Sequence, residues 1–288
     1  MVEPAHTEVS EAGYGPPIAF AELPLLAGRY HETYLRARPW PHLVLDDLLD
    51  PEVVAAAEAQ ELQRALNLEI HRGNRIVKAE SPEVGGHAAN EILDSLLTPE
   101  FVAFLEKLTG IGGLIPDPSH AWAGIHVSPP GASQALHRDF RFHPANGLYH
   151  RVNVLVFLNS DWKTEYGGQL ELWPSNPTEG GKQILPEAAR IVIFETTSYS
   201  FHGVPEPIRC PPGRARLSLA SYYYTDFPGP ADRRETMFLT PKRPQDPWYM
   251  SIRPPKDCLS NLVYGTADFL GHGGAEKWAR GRRFRARN

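Results

Sequence analysis

Two pairs of side chains, His137 with Asp139 and Arg216 with Ser218, constrain this chain more than any other feature. Residues two apart on an extended strand share a face. Each pair therefore makes chemical sense only where the backbone is β and the shared face looks into an interior. Between them, His202 follows the apolar run Arg190-Ile191-Val192-Ile193-Phe194 and precedes Gly203, which reads as a strand end. Two imidazoles and one carboxylate brought to one point grip a metal on a single face and leave its other positions open, a donor set that suits Fe(II). Arg216, fourteen residues past His202, sits with Ser218 in an apolar, β-prone run, a fixed cation and hydroxyl suited to an anion. A bare His-x-Asp means little in a chain with 12 histidines; the order and spacing of the whole set carry the argument.

That order, with Gly167-Gly168-Gln169-Leu170 between the ligand stretches, resembles the 2-oxoglutarate- and Fe(II)-dependent dioxygenases, nearest their prolyl-4-hydroxylase-like branch. Pro130-Gly131 and the segment from Arg151 to Asn159 match the same branch, and the likeness extends over roughly residues 115 to 226. One departure stands out. The branch often places a Lys closer to the distal His, whereas here Arg216 follows an insert containing Pro205, Pro207, Pro211 and Pro212. Arg214 competes for the same role; Arg216 is preferred because Ser218 alternates with it.

The resemblance implies a jelly-roll, cupin-like double-stranded β-helix with flanking helices, an α+β protein that is mainly β. It implies Fe(II) on His137, Asp139 and His202, with 2-oxoglutarate as cosubstrate, O2 as oxidant and ascorbate as a stimulant. The distal carboxylate of 2-oxoglutarate falls to Arg216 and Ser218, and Ser128 and Asn153 line its pocket. Halogenating relatives carry a small residue in place of the carboxylate ligand, so Asp139 favours hydroxylation or a related oxidation. His126 shares a face with Ser128 and is read as a substrate contact or a supporting residue rather than a ligand. Arg141, His143, Tyr149 and His150 follow Asp139 in what reads as a loop at the substrate mouth, where binding residues concentrate.

Residues 1–20 read as a polar tail, 21–115 as a helical part packed on the core, 116–227 as the catalytic core, and 228–288 as an extension able to close as a lid. Asp50-Pro51-Glu52 and Thr98-Pro99-Glu100 are helix starts, with helices expected to about Leu66 and to Gly110. Strands are expected at His42 to Leu45, Ala123 to Val127, Asn153 to Leu158, Gln169 to Leu172, Arg190 to Phe194 and Arg216 to Tyr224. A net charge of −5 argues against a nucleic-acid partner, and no apolar run is long enough to span a membrane. Cys210 and Cys258, the 2 cysteines, fit neither a disulfide scaffold nor a zinc site and suit a cytoplasmic setting. The expected substrate is a small molecule such as an amino acid, peptide or natural-product intermediate. The alternatives are a protein-directed prolyl-hydroxylase-like enzyme and a non-enzymatic metal-binding module.

Overall fold

The strand from Arg216 to Thr225 runs for 10 residues, and every one of them is buried. A strand is buried on both faces only when each face is covered. In the computed structural model, which describes residues 15–67, 77–79, 85–120, 123–143, 145–176, 180–227 and 237–239, helices cover one face and a second sheet covers the other. Along the chain the strands are β1 (His42–Leu45), β2 (Val77–Ala79), β3 (Ile115–Pro116), β4 (Gly124–Ser128), β5 (Gln134–Arg138) and β6 (Tyr149–Phe157). They continue as β7 (Leu170–Trp173), β8 (Lys182–Ile184), β9 (Ile191–Glu195), β10 (Phe201–Val204), β11 (Arg216–Thr225) and β12 (Met237–Leu239). The helices are α1 (Leu23–Arg36), α2 (Pro51–Asn67), α3 (His87–Leu97) and α4 (Pro99–Thr109).

The larger sheet runs β1-β9-β6-β11-β4-β2, with β3 paired to the far end of β11, and the smaller runs β12-β5-β10-β7-β8. These strand pairs are antiparallel, and the two facing sheets form the expected jelly roll. Alternation sorts the side chains. Val152, Val154, Ile191, Ile193, Leu217 and Leu219 point outward into one core with Ile92, Leu96, Phe101 and Phe104 of the helices. The residues between them, Phe157, Val192 and Phe194, point inward and pack on Leu170, Leu172 and Ile184 of the smaller sheet.

Both capped helices form as their sequences predict. Asp50 Oδ1 accepts from the backbone N–H of Glu52 at 2.8 Å and of Val53 at 3.3 Å at the start of α2. Thr98 caps α4 by accepting from Phe101 N, and Gly110 ends it in the left-handed conformation at φ 76°. The helices α1 and α3 have no side-chain cap bond and were not expected individually.

The structure corrects several boundaries. The strand expected from Asn153 begins at Tyr149, so Tyr149 and His150 are strand residues rather than loop residues. His202 does not close the Ile191–Glu195 strand; it sits inside β10, in the opposite sheet. Ile18, inside the stretch read as tail, is fully buried and bridges to Leu49. Residues 237–239 of the stretch read as a lid pair with β5 along Leu136, His137 and Arg138, while the rest of that stretch and Cys258 lie outside the described residues. Among the described residues no helix is long and apolar enough to cross a membrane.

Candidate metal centre and anion pocket

The smaller sheet brings the two histidines together. His137 of β5 and His202 of β10 are register partners, and their ring centroids lie 4.6 Å apart. Between this pair and the next, Val204 with Gln134, the register slips by one residue. That bulge turns Gln134 and His137, three apart, toward the same cavity. Gly203 permits the close approach. A Cβ there would stand 2.8 Å from Ala135 O and 2.9 Å from Gln134 O, both fixed backbone atoms.

Asp139, one residue past the end of β5, joins them: its Oδ1 lies 3.3 Å from His137 Nε2 and its Oδ2 3.6 Å from His202 Nε2. The ligating atoms of all three lie within 4.8 Å of one another. Each imidazole is oriented by its own strand, since Nδ1–H of His137 donates to Ala135 O at 2.9 Å and Nδ1–H of His202 to Ser200 O at 3.1 Å. With Nδ1 so engaged, both Nε2 atoms are turned to the carboxylate, and in the neutral rings their lone pairs are free to take a cation there. Burial pushes the Asp139 carboxyl up, but His202 and His137 outweigh it and hold it well below the usual range. Asn153 Nδ2 donates to Asp139 Oδ2 at 2.6 Å.

The larger sheet supplies the cation. Arg216 is 4% exposed; its Nε donates to Gly168 O at 2.7 Å and its Nη1 to Ser218 Oγ at 3.3 Å. Its guanidinium lies 4.9 Å from the Phe157 ring centroid. Gly168, at φ 75°, lets its backbone pass so close that a Cβ would stand 3.1 Å from Arg216 Cδ. Burial pulls the Arg216 pKa down to about 10, which leaves it charged at neutral pH. Among the described residues it forms no ion pair. Arg214 points elsewhere, bonding to Ser160 O and approaching Glu58 at 3.7 Å.

A cavity of about 200 Å³ joins the two parts, lined by the His-Asp-His cluster, Arg216, Ser218, Asn153 and His126. Ser128 is buried opposite Arg216 in the β4–β11 register but does not line the cavity. Neither do Arg141, His143 and Tyr149. His143 is held by Asp117 Oδ2 at 3.1 Å, and Arg141 stacks on the rings of Phe142 and Tyr149. Gln134, Phe140 and Leu155 line the cavity and were not expected there, while Tyr222, which sequence suggests as a core or wall aromatic, stands in its wall. Tyr222 was legible, because it continues the period-two series of Arg216 and Ser218 along β11; Gln134 was hidden by the bulge.

Residues 123–224 match the family model described as the 2OG-Fe(II) oxygenase superfamily. Over that stretch, roughly a third of its length, the chain is similar to the superfamily. Over 101 residues it is 28% identical to the prolyl 3-hydroxylase OGFOD1 of Mus musculus, which covers 34% of this chain and 17% of the mouse protein. The match thus spans less than a fifth of that relative. Among solved structures it resembles a Trichoplax adhaerens prolyl hydroxylase in complex with a hypoxia inducible factor oxygen degradation domain peptide fragment. That likeness has a TM-score of 0.51 at 17% identity and covers 72% of this chain and 92% of that one. It also resembles a prolyl 4-hydroxylase of Phytophthora capsici, with a TM-score of 0.50 at 19% identity, covering 77% and 69%. A member of this superfamily works with Fe(II), 2-oxoglutarate and O2. The residues present fit both bound groups: an N,N,O donor set for the metal, and a buried guanidinium for a dicarboxylate.

Proposed function

We propose that this 2OG-Fe(II) oxygenase oxidises an unactivated C–H bond of a small molecule, with His137, Asp139 and His202 holding the iron. The observation that carries the reading is Arg216. A buried guanidinium is costly without a counter-anion, and this one sits in the same cavity as the His-Asp-His cluster. Arg216 and Ser218 would take the distal carboxylate of 2-oxoglutarate by charge-assisted hydrogen bonds, while Gly168 O fixes the guanidinium plane. Iron and 2-oxoglutarate together would supply the oxidising power from O2, 2-oxoglutarate leaving as succinate and CO2. His137 and His202 keep their Nε2 atoms turned to the metal through the Nδ1 bonds. Phe140, Leu155 and Leu170 keep water from the reacting centre.

Residues 116–227 serve as the catalytic core of a cytoplasmic enzyme in this proposal. An amino acid, short peptide or natural-product intermediate suits a cavity of about 200 Å³. A second reading, hydroxylation of a prolyl residue in a protein, is favoured by the name of the mouse relative. Adding Fe(II) and 2-oxoglutarate without oxygen should give a visible charge-transfer band that neither gives alone. Arg216→Ala should weaken 2-oxoglutarate binding by about 2–5 kcal/mol, and Arg214→Ala should leave it unchanged. No band, or the reverse order of the two variants, would overturn the assignment. Succinate release stimulated by free amino acids rather than by prolyl polypeptides separates the two substrate readings.

A further inference from the structure

Building on that reading, we propose that Asn153 positions the ligand Asp139 and, through the other end of the same amide, selects substrates bearing an N–H or O–H donor near the reacting carbon. Asn153 is 1% exposed in the middle of β6, where the next inward residues, Leu155 and Phe157, are apolar. Its register partners are Phe194 of β9 and Tyr222 of β11. The three form a row on the inner face of the larger sheet, and the Phe194 ring meets that of His202 edge-on at 4.8 Å. A carboxylate accepts only, so the amide nitrogen must be the atom turned to Asp139 and the amide oxygen the atom turned away. That oxygen is buried and accepts from no described residue, although Asn153 lines the cavity. A buried carbonyl oxygen with no donor is a cost that a bound donor removes.

The amide therefore has two ends with two duties. By engaging Oδ2 and fixing the rotation of the carboxylate, Nδ2 leaves Oδ1, 3.3 Å from His137 Nε2, as the oxygen offered to the metal. The amide oxygen is left to orient a substrate donor beside the metal. An apolar residue would bury equally well here and perform neither duty.

The isosteric pair Asn153→Val and Asn153→Thr tests this in the full chain. Both are β-branched and suit a strand flanked by Val152 and Val154, and only Thr retains a donor for Asp139. Anaerobic titration with Co(II), followed by its visible absorption, should show affinity about 10-fold or more weaker in Asn153→Val, with an altered spectrum. Asn153→Thr should recover most of that loss. For the other end, compounds that stimulate succinate release are compared with their N- or O-methylated analogues. Methylation should lower kcat/KM about tenfold in the unmodified protein and have little effect in Asn153→Thr. Co(II) affinity and spectrum unchanged in a folded Asn153→Val would overturn the positioning role. Equal penalties from methylation in both proteins would overturn the selecting role. His137→Ala that still bound Co(II) normally would instead reject the parent reading.

Discussion

The two sheets of the jelly roll contribute to one cavity in different ways. The larger sheet is covered on both faces, and its central strand β11 is buried along its entire length. It carries Arg216, Ser218 and Asn153 on long strands whose outward neighbours are locked into the helix-backed core. The smaller sheet is built from short strands and carries both histidines on β5 and β10, with Asp139 just beyond a strand end. The anion anchor and the amide thus rest on the part of the molecule that holds the fold together. The proposed metal ligands rest on the sheet of shorter strands. The two proposed binding duties are divided between the sheets, and substitutions should separate metal binding from stability.

The largest separation is expected at the histidines. His202→Ala should reduce turnover by at least about a thousandfold, the scale of losing a residue on which the chemistry depends. Its thermal midpoint should stay within a few degrees of the parent. Parallel measurement of succinate release and thermal unfolding checks this, and a collapse of the fold would erase the contrast drawn between the sheets.

Next in size is Leu219→Ala, on the outward face of β11 against the helices. It should cost about 2–5 kcal/mol in denaturant unfolding, as removal of a fully buried leucine does. Metal affinity in the surviving folded fraction should be preserved, since the inward neighbours Ser218 and Ala220 are untouched. A loss of metal binding without a loss of stability would reverse the division of labour.

The smallest effect tests the seam within the smaller sheet. Gly203→Ala would drive a Cβ toward two backbone oxygens of β5, so β10 must shift away. The expected cost is about 1–3 kcal/mol, with a measurable loss of Co(II) affinity because His202 moves with the strand. A stable variant with unaltered affinity would mean that the pairing of His137 with His202 tolerates more slack than the geometry indicates.

Some of this was legible in the residues because the physics behind it is local. Period-two spacing placed Arg216 with Ser218 on one face, and Arg216 enters the cavity; Arg214 turns away to Ser160 because it lies ahead of the strand, where alternation no longer holds. Asp50 and Thr98 marked the helices α2 and α4 because a capping side chain acts within three residues of itself. The helices without such a bond, α1 and α3, left no comparable mark; they are held by packing against distant partners. Asp139 was paired with the histidines by motif order, yet its partnership with Asn153 crosses from one sheet to the other.

What the sequence by itself determined is the chemistry on offer: two imidazoles, a carboxylate and a guanidinium at spacings that only strands bring to one face. Tertiary structure alone decided which residues complete the site. It left Arg141, His143 and Tyr149 off the cavity lining, with His143 bonded to Asp117 and Arg141 stacked on Tyr149. It brought Gln134 to the cavity through a bulge and Tyr222 through register, and it turned Asn153, expected at the pocket from sequence, onto Asp139. A spacing rule reports which side chains of one strand share a face. Which strands face each other depends on how two sheets bury their apolar sides, a property of the whole chain.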